Sequence, residues 1–418
     1  MRVLVMASGS YGDINPFLAI GREMKRRGHD VLFFASAYFA SAAREAGLPF
    51  VPVGPVEAYE VVIRNPDLVR PGKGFKLVAG ATMEYLPEAH RLLEERVQPG
   101  QTILIGSTLA FATRLVQERR GVPTVTAHLA PSIFRSAYVS PRMTESGIFE
   151  RFPPALKRMA WRVVDALIVD PVFCREFNRY RTELGLRPVK RMFHDWIHQA
   201  DLTLGLFPAW FASPQPDWPA GVHLTDFPLY DQAGTNGLAA DVQDFLESGA
   251  PPVVFTTGTA TTTETRFFSE SAEACVLANK RGMLLTPFAE QVPDRLPPTV
   301  RRFDHAPFSQ LLPRVGAVVH HGGIGTSSQA LAAGVAQLLR PMAFDQFDNA
   351  WRLETLGVAR SLTPKRYRAH AVAAALDELM SSQSVQASCR LAAERLAGRQ
   401  GVSRTCDIIL EKAARQSI

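Results

Sequence analysis

The 418-residue chain has only four cysteines, Cys174, Cys275, Cys389 and Cys406, and no two of them make a CxxC pair. That excludes a disulfide framework and a zinc ribbon, and it suits a reducing compartment. No window reaches 18 consecutive apolar residues, so no transmembrane helix is expected. The chain opens directly into a strand pattern, Arg2 to Ala7, without the charged and apolar regions of a signal peptide. A cytoplasmic protein is therefore expected. His, Asp and Glu are nowhere clustered at metal-ligand spacing, so neither an essential metal nor a cofactor is expected. Nucleic-acid motifs, internal repeats and low-complexity tracts are missing as well.

The remainder is ordinary in composition, 46% hydrophobic and 21% charged. The length fits two domains of about 200 residues each. Strands alternate with helical patterns, which implies parallel sheets. The first unit is a strand, Val3 to Ala7, a turn Ser8-Gly9-Ser10-Tyr11-Gly12-Asp13, and a helix with Asn15 as N-cap and Pro16 at its first position. Further strands are expected at Phe50–Val53, Thr102–Ile105 and Thr124–Ala127, and Asp201–Phe207 reads as the last strand of the first domain. Pro- and Gly-punctuated stretches, including Phe227-Pro228-Leu229-Tyr230-Asp231-Gln232-Ala233-Gly234, mark the interdomain connection. The expected division is 1–225, a linker 226–240, a second domain 241–397 and a final helix 398–418 that crosses back to the first.

One stretch organises the second domain. The apolar run Gly316 to Val319 empties into His320-His321-Gly322-Gly323-Ile324-Gly325-Thr326, and a helical pattern begins at once. Strand, glycine turn and helix N-terminus make an anion site, because glycines admit close approach and first-turn N–H groups lack intrahelical partners. His321 adds a proton or a hydrogen bond on the same side. About twenty residues on, Phe344-Asp345-Gln346-Phe347-Asp348-Asn349 supplies a carboxylate beside a carboxamide, a pairing suited to vicinal sugar hydroxyls. The plainer alternatives are a tight turn at HGG and a helix N-cap at Asp345.

In the first domain Gly9 and Gly12 lack the third glycine of a dinucleotide fingerprint. Asp13 lies at the C-terminal end of the first strand, where open α/β sheets place ligands. It is either a base whose strength burial would raise or an aspartate that closes the turn. Phe75, Met83, Phe134 and Tyr138 belong to an apolar excess in segments that read as variable, and they are candidates to line an apolar pocket. The net charge of +6 concentrates in Arg22-Glu23-Met24-Lys25-Arg26-Arg27 and Arg187-Pro188-Val189-Lys190-Arg191. A solvated surface is the favoured reading, and attraction to an anionic membrane is the alternative.

HHGGIGT, ALAAGVAQLLRP and FDQFDNA together resemble the donor-binding signature of family 1 glycosyltransferases, nearly end to end in the chain. The resemblance implies the GT-B fold, two doubly wound Rossmann-like α/β domains facing across a cleft. It implies a nucleotide-sugar donor, UDP- or dTDP-linked, and an apolar hydroxylated acceptor such as a lipid, hydroxy-fatty acid, sterol or polyphenol. By the same resemblance, His321 with Gly323, Gly325 and Thr326 holds the diphosphate, Thr259 contacts phosphate, His305 stacks on the base, and Asp345 and Gln346 hold sugar hydroxyls. The GxxGDxxP turn is similar to the branch with sterol and glycopeptide-antibiotic glycosyltransferases, which implies Asp13 as the general base. Other stretches, FPAWFA among them, are similar to rhamnolipid rhamnosyltransferases. Ala336 stands where a proline is usual, and Arg340, near the expected sugar subsite, where an apolar residue is usual. An inverting, metal-independent transfer is implied; a non-catalytic nucleotide-sugar-binding relative is the alternative. The sequence carries no signal for an oligomeric state.

Overall fold

The computed structural model describes residues 1–70, 72–231 and 237–416. Gln232, Ala233 and Gly234 of the expected connection lie outside them. The chain divides into two compact units, one of residues 1–62, 72–228 and 400–418, the other of 63–71 and 229–399.

The first unit holds seven strands: β1 Arg2–Met6, β2 Asp30–Ser36, β3 Phe50–Val53, β4 Thr102–Ser107, β5 Thr124–His128, β6 Leu202–Gly205 and β7 Val222–Leu224. They form one parallel sheet in the order β3-β2-β1-β4-β5-β6-β7. Val3, Leu4, Val5, Ile103, Leu104 and Ile105 are buried, as in a sheet covered on both faces by helices. The order reverses between β1 and β4, the place where such folds bind ligands. The last strand is β7, not the expected Asp201–Phe207 segment; β7 is only three residues long, too short for a period to show in sequence.

The second unit repeats the architecture with β8 Val253–Thr256, β9 Gly282–Leu285, β10 Val300–Phe303, β11 Ala317–His320, β12 Gln337–Leu339 and β13 Ala359–Ser361. Their order is β10-β9-β8-β11-β12-β13, again parallel, reversing between β8 and β11. The doubly wound expectation is met in both units.

Helix Gly401–Gln416 belongs to the first unit and packs on helix Tyr11–Arg26. Arg27 joins them, donating to Asp407 Oδ1 at 2.6 Å and to Ser403 Oγ at 2.7 Å. Arg26 and Arg27 also pair with Glu23, at 2.7 and 2.8 Å. The first basic stretch is thus largely engaged in intramolecular pairing.

Candidate functional site

At the switch point of the second unit, the loops after β8 and β11 meet. The His321 ring sits in a slot between two glycines. A Cβ on Gly258 would fall 2.7 Å from its Cε1, and one on Gly323 would fall 2.5 Å from its Nε2. Gly258 also has φ +77°, so no other residue fits that position without strain. The ring is partly exposed, whereas its Nδ1 is buried and makes no hydrogen bond. Burial lowers its pKa to about 4, so the imidazole is neutral at pH 7 in the free protein.

The preceding residue, His320, is wholly buried and builds the turn. Its Nδ1 accepts from the Gly322 N–H at 3.1 Å, which leaves the Nε2 proton to be donated to Gln337 Oε1 at 3.0 Å. Burial foremost, then neighbouring His321, holds its pKa at about 3. Helix Ile324–Ala333 follows, with Gly323 as N-cap, and its first N–H groups have no partner inside the helix. The helix begins three residues earlier than the periodicity suggests, because Ile324-Gly325-Thr326 already take helical geometry.

The Asp345-Gln346 pair is fastened to this turn. Asn349, fully buried, donates through Nδ2 to Gly322 O at 2.9 Å and to Asp345 Oδ2 at 2.8 Å. Asp345 occupies the N-cap position of helix Gln346–Thr355, as the plainer alternative has it, but its side chain makes no capping hydrogen bond. Gln346 Oε1 accepts from the N–H groups of Met342 and Ala343 at 2.8 and 3.1 Å, and its amide nitrogen makes no hydrogen bond with the described residues. Phe344, just before the pair, has φ +57° and is exposed. A bulky residue there carries local strain, which concentrates at functional sites.

His320, Gln337 and Asn349 were missed from sequence. Two of them left a signal: Asn349 lies four residues after Asp345, hence on the same helix face, and Gln337 is polar inside an apolar run. Thr259 is partly buried in the loop after β8, and His305 is exposed after β10, open to a flat ligand. Arg340 is buried: it pairs with Glu264 at 2.8 Å, and its guanidinium lies 5.6 Å from the Tyr367 ring centre.

In the first unit Asp13 falls in the first turn of helix Tyr11–Arg26, which starts four residues before the expected Asn15 cap and contains Pro16. The Asp13 carboxylate accepts from Ser10 N at 2.8 Å and Ser10 Oγ at 3.0 Å, so it closes the turn as well. Gly9, with φ +129°, leaves room for that carboxylate; a Cβ there would lie 2.4 Å from Oδ2. Burial raises the Asp13 pKa above the ordinary carboxylate value, against the two hydrogen bonds from Ser10, which lower it. Tyr59 is close enough for the Asp13 charge to raise its own pKa, after the larger effect of burial, and its hydroxyl is buried without a partner. Its ring packs with Tyr38 and Phe39 at 4.5 and 5.0 Å, and Tyr11 joins Phe39 at 5.0 Å.

The apolar candidates separate. Phe134 is a correction: it is 1% exposed, stacked between Trp218 at 4.8 Å and His198 at 5.3 Å, and is core, not pocket lining. Phe75 and Met83 are partly buried against the main core of the first unit. Tyr138 is 49% exposed. His128, at the end of β5, is 0% exposed and hydrogen-bonded through Nδ1 to Thr108 Oγ1.

Two family models match the chain. One, described as Glycosyltransferase family 28 N-terminal domain, covers residues 3–139; the other, Erythromycin biosynthesis protein CIII-like, C-terminal domain, covers 285–403. The chain is 30% identical over 436 residues to O-mycaminosyltylonolide 6-deoxyallosyltransferase of Streptomyces fradiae, covering 99% of this chain and 98% of the relative. It is 27% identical over 420 residues to glycosyltransferase GtfE of Amycolatopsis orientalis, covering 95% of this chain and 93% of that protein. Among solved structures, the glycotransferase of kitacinnamycin superposes with TM-score 0.75 at 21% identity over 99% of both chains. Glycosyltransferase VinC in complex with DTDP superposes with TM-score 0.69 at 19% identity, over 99% of this chain and 100% of that one. At those identities the structures show the fold alone.

Proposed function

Because the chain belongs to the family 1 glycosyltransferases, nucleotide-sugar-dependent enzymes of the GT-B fold, we propose that it transfers a sugar from a dTDP- or UDP-linked donor to a hydroxyl of an apolar small molecule, with inversion. The observation that carries this reading is the second unit's switch point, where His321 in its glycine slot, the helix N-terminus and the Asp345-Gln346 pair are fastened together by Asn349. That arrangement suits a diphosphate next to a sugar. Among the relatives, the 30% identical one is named for transfer of a 6-deoxyhexose, and several others at 22–24% identity are named sterol 3-beta-glucosyltransferases, for transfer of a hexose. The same names support two kinds of apolar acceptor, a glycosylated macrolactone and a sterol.

In this reading Asp13 accepts the acceptor's hydroxyl proton as that oxygen attacks the anomeric carbon. The bond from that carbon to the diphosphate oxygen breaks, and the nucleoside diphosphate leaves. Its growing charge meets the first N–H groups of helix Ile324–Ala333, the positive end of that helix dipole and a hydrogen bond from His321. Asp345 accepts from sugar hydroxyls, and the Gln346 amide nitrogen donates to them. Tyr11, Tyr38 and Tyr59 offer the acceptor an apolar wall beside Asp13, a better-placed set than Phe75, Met83 and Phe134.

Mass spectrometry of purified protein with a panel of dTDP- and UDP-sugars and mixed apolar alcohols tests this. An acceptor product heavier by one sugar is expected, with one nucleoside diphosphate released per transfer and an unchanged yield in EDTA. Interconversion of free sugar nucleotides without any acceptor product, or a magnesium-reversible loss in EDTA, would overturn it.

A further inference from the structure

Helix Pro154–Val164 continues through a single π turn, Asp165–Val169, and this element faces the wrong way for a soluble helix. Its inner face presents Lys157, Trp161 and Asp165 to the protein, with Asp165 at 0% exposed and paired with Arg135 and Arg191. Its outer face presents Leu156, Met159, Val163, Leu167 and Ile168, with Leu167 at 72% exposed. An amphipathic helix ordinarily does the reverse. The loop before it adds Tyr138, Val139, Met143, Ile148 and Phe152, so that ten of the eighteen exposed large hydrophobic residues among the described residues fall between positions 138 and 168. Single exposed apolar residues are normal, but a concentration of this kind marks an interaction surface.

The charges indicate what covers it. Arg158 and Arg162, one turn apart, are the exposed charged side chains of Pro154–Val169; Arg151 stands just before them. None of the three makes an ion pair among the described residues; of the two basic stretches noted in the sequence, Arg26 and Arg27 pair with Glu23 and Arg191 with Asp165 and Asp195, and neither stretch has the exposed apolar side chains that these three arginines edge. Apolar side chains edged by unpaired arginines suit the boundary between acyl chains and anionic headgroups, where the arginine stems lie flat and the guanidinium groups meet phosphates. A twofold contact with a second copy would instead bring the same arginines toward one another.

We propose that the surface formed by residues 138–168, centred on Met159, Val163 and Leu167 and edged by Arg151, Arg158 and Arg162, docks on an anionic lipid bilayer. No helix among the described residues is long and apolar enough to cross a membrane, so the association is with one face of it. An enzyme so placed draws an apolar acceptor from the bilayer without extracting it into water. The docking rests on exposure and charge alone, and it is measured without donor or acceptor, so it stands or falls separately from the transfer reaction.

The test is co-sedimentation of the full chain with vesicles, either of phosphatidylcholine alone or of equal parts phosphatidylglycerol and phosphatidylcholine. Binding is expected to the mixed vesicles and to weaken with salt. The double change Arg158→Gln/Arg162→Gln should lower the partition coefficient roughly thirtyfold, since each surface arginine contributes about fivefold. Met159→Ser/Leu167→Ser should lower it about tenfold or more. Both pairs are exposed, and unchanged thermal unfolding confirms that the variants fold. No binding to mixed vesicles at low salt, or equal binding by wild type and both double variants, would overturn the proposal. Self-association in sedimentation velocity that Met159→Ser/Leu167→Ser abolishes would assign the face to a second copy and overturn it too.

Discussion

Asp13→Asn is expected to lower turnover about 10²–10⁴-fold, the usual loss when a general base is removed. Asparagine keeps the size of the side chain and an oxygen that still accepts from Ser10 N, a 2.8 Å bond in the wild type. The turn therefore survives, and thermal stability is expected to hold or rise, because burial already disfavours the Asp13 charge. Loss of activity without loss of stability separates a base from an aspartate that merely closes the turn. The pH profile gives a second reading of the same group. A raised pKa means that Asp13 takes up its proton at a higher pH than an ordinary carboxylate, so the acidic limb of kcat/KM lies above the unperturbed value of about 3.9. That limb disappears in Asp13→Asn. A phenolic acceptor, which sheds its proton easily, loses less than an aliphatic alcohol. Turnover of an aliphatic alcohol within about threefold of wild type, far short of the expected range, would place the base elsewhere.

His321→Ala is expected to lower turnover roughly 10²–10³-fold, as when one preorganised donor to a developing anion is lost. The free imidazole has a pKa of about 4 through burial. A diphosphate beside it favours the charged form and raises that pKa. Binding then takes up protons, so affinity for a sugar nucleotide strengthens as pH falls from 7 toward 5. A sugar nucleotide is the right ligand, because its diphosphate lacks the terminal group that titrates near pH ~6. The pH dependence should vanish in His321→Ala. Calorimetry in two buffers of different ionisation enthalpy counts the protons directly. A pH-independent affinity in the wild type together with full activity in His321→Ala would remove His321 from the diphosphate site.

Those two residues were legible in the sequence because each sits where a strand pattern breaks into glycine and then helix. The parallel sheets were legible for a similar reason, since strands buried on both faces leave near-continuous apolar runs. β7 and β13, three residues each, were not, and neither was the start of helix Tyr11–Arg26. There the proline cue at Pro16 outweighed Ser10-x-x-Asp13, a capping pattern that the structure uses. Phe134 was misjudged because an aromatic in a loop reads the same whether it faces a pocket or, as here, stacks between Trp218 and His198. Arg340 stood out in the sequence only as a departure from the family's apolar residue near the expected sugar subsite; its pairing with Glu264, some eighty positions earlier, is invisible to local pattern. The clamp made by Asn349 depends on two segments meeting in space, and only the half to Asp345 was readable, from helical spacing.

The most direct test compares the binding of a free nucleoside diphosphate and its sugar nucleotide by calorimetry, in the wild type, Asp345→Ala and Gln346→Glu. Gln346→Glu keeps the oxygen that Met342 and Ala343 donate to and replaces only the amide nitrogen. The glycine turn is expected to meet phosphate and the Asp345-Gln346 pair to meet sugar hydroxyls. Both variants should therefore bind the sugar nucleotide much more weakly while holding the nucleoside diphosphate as the wild type does. Equal losses for the two ligands would contradict the account and leave the pair a structural part of the turn.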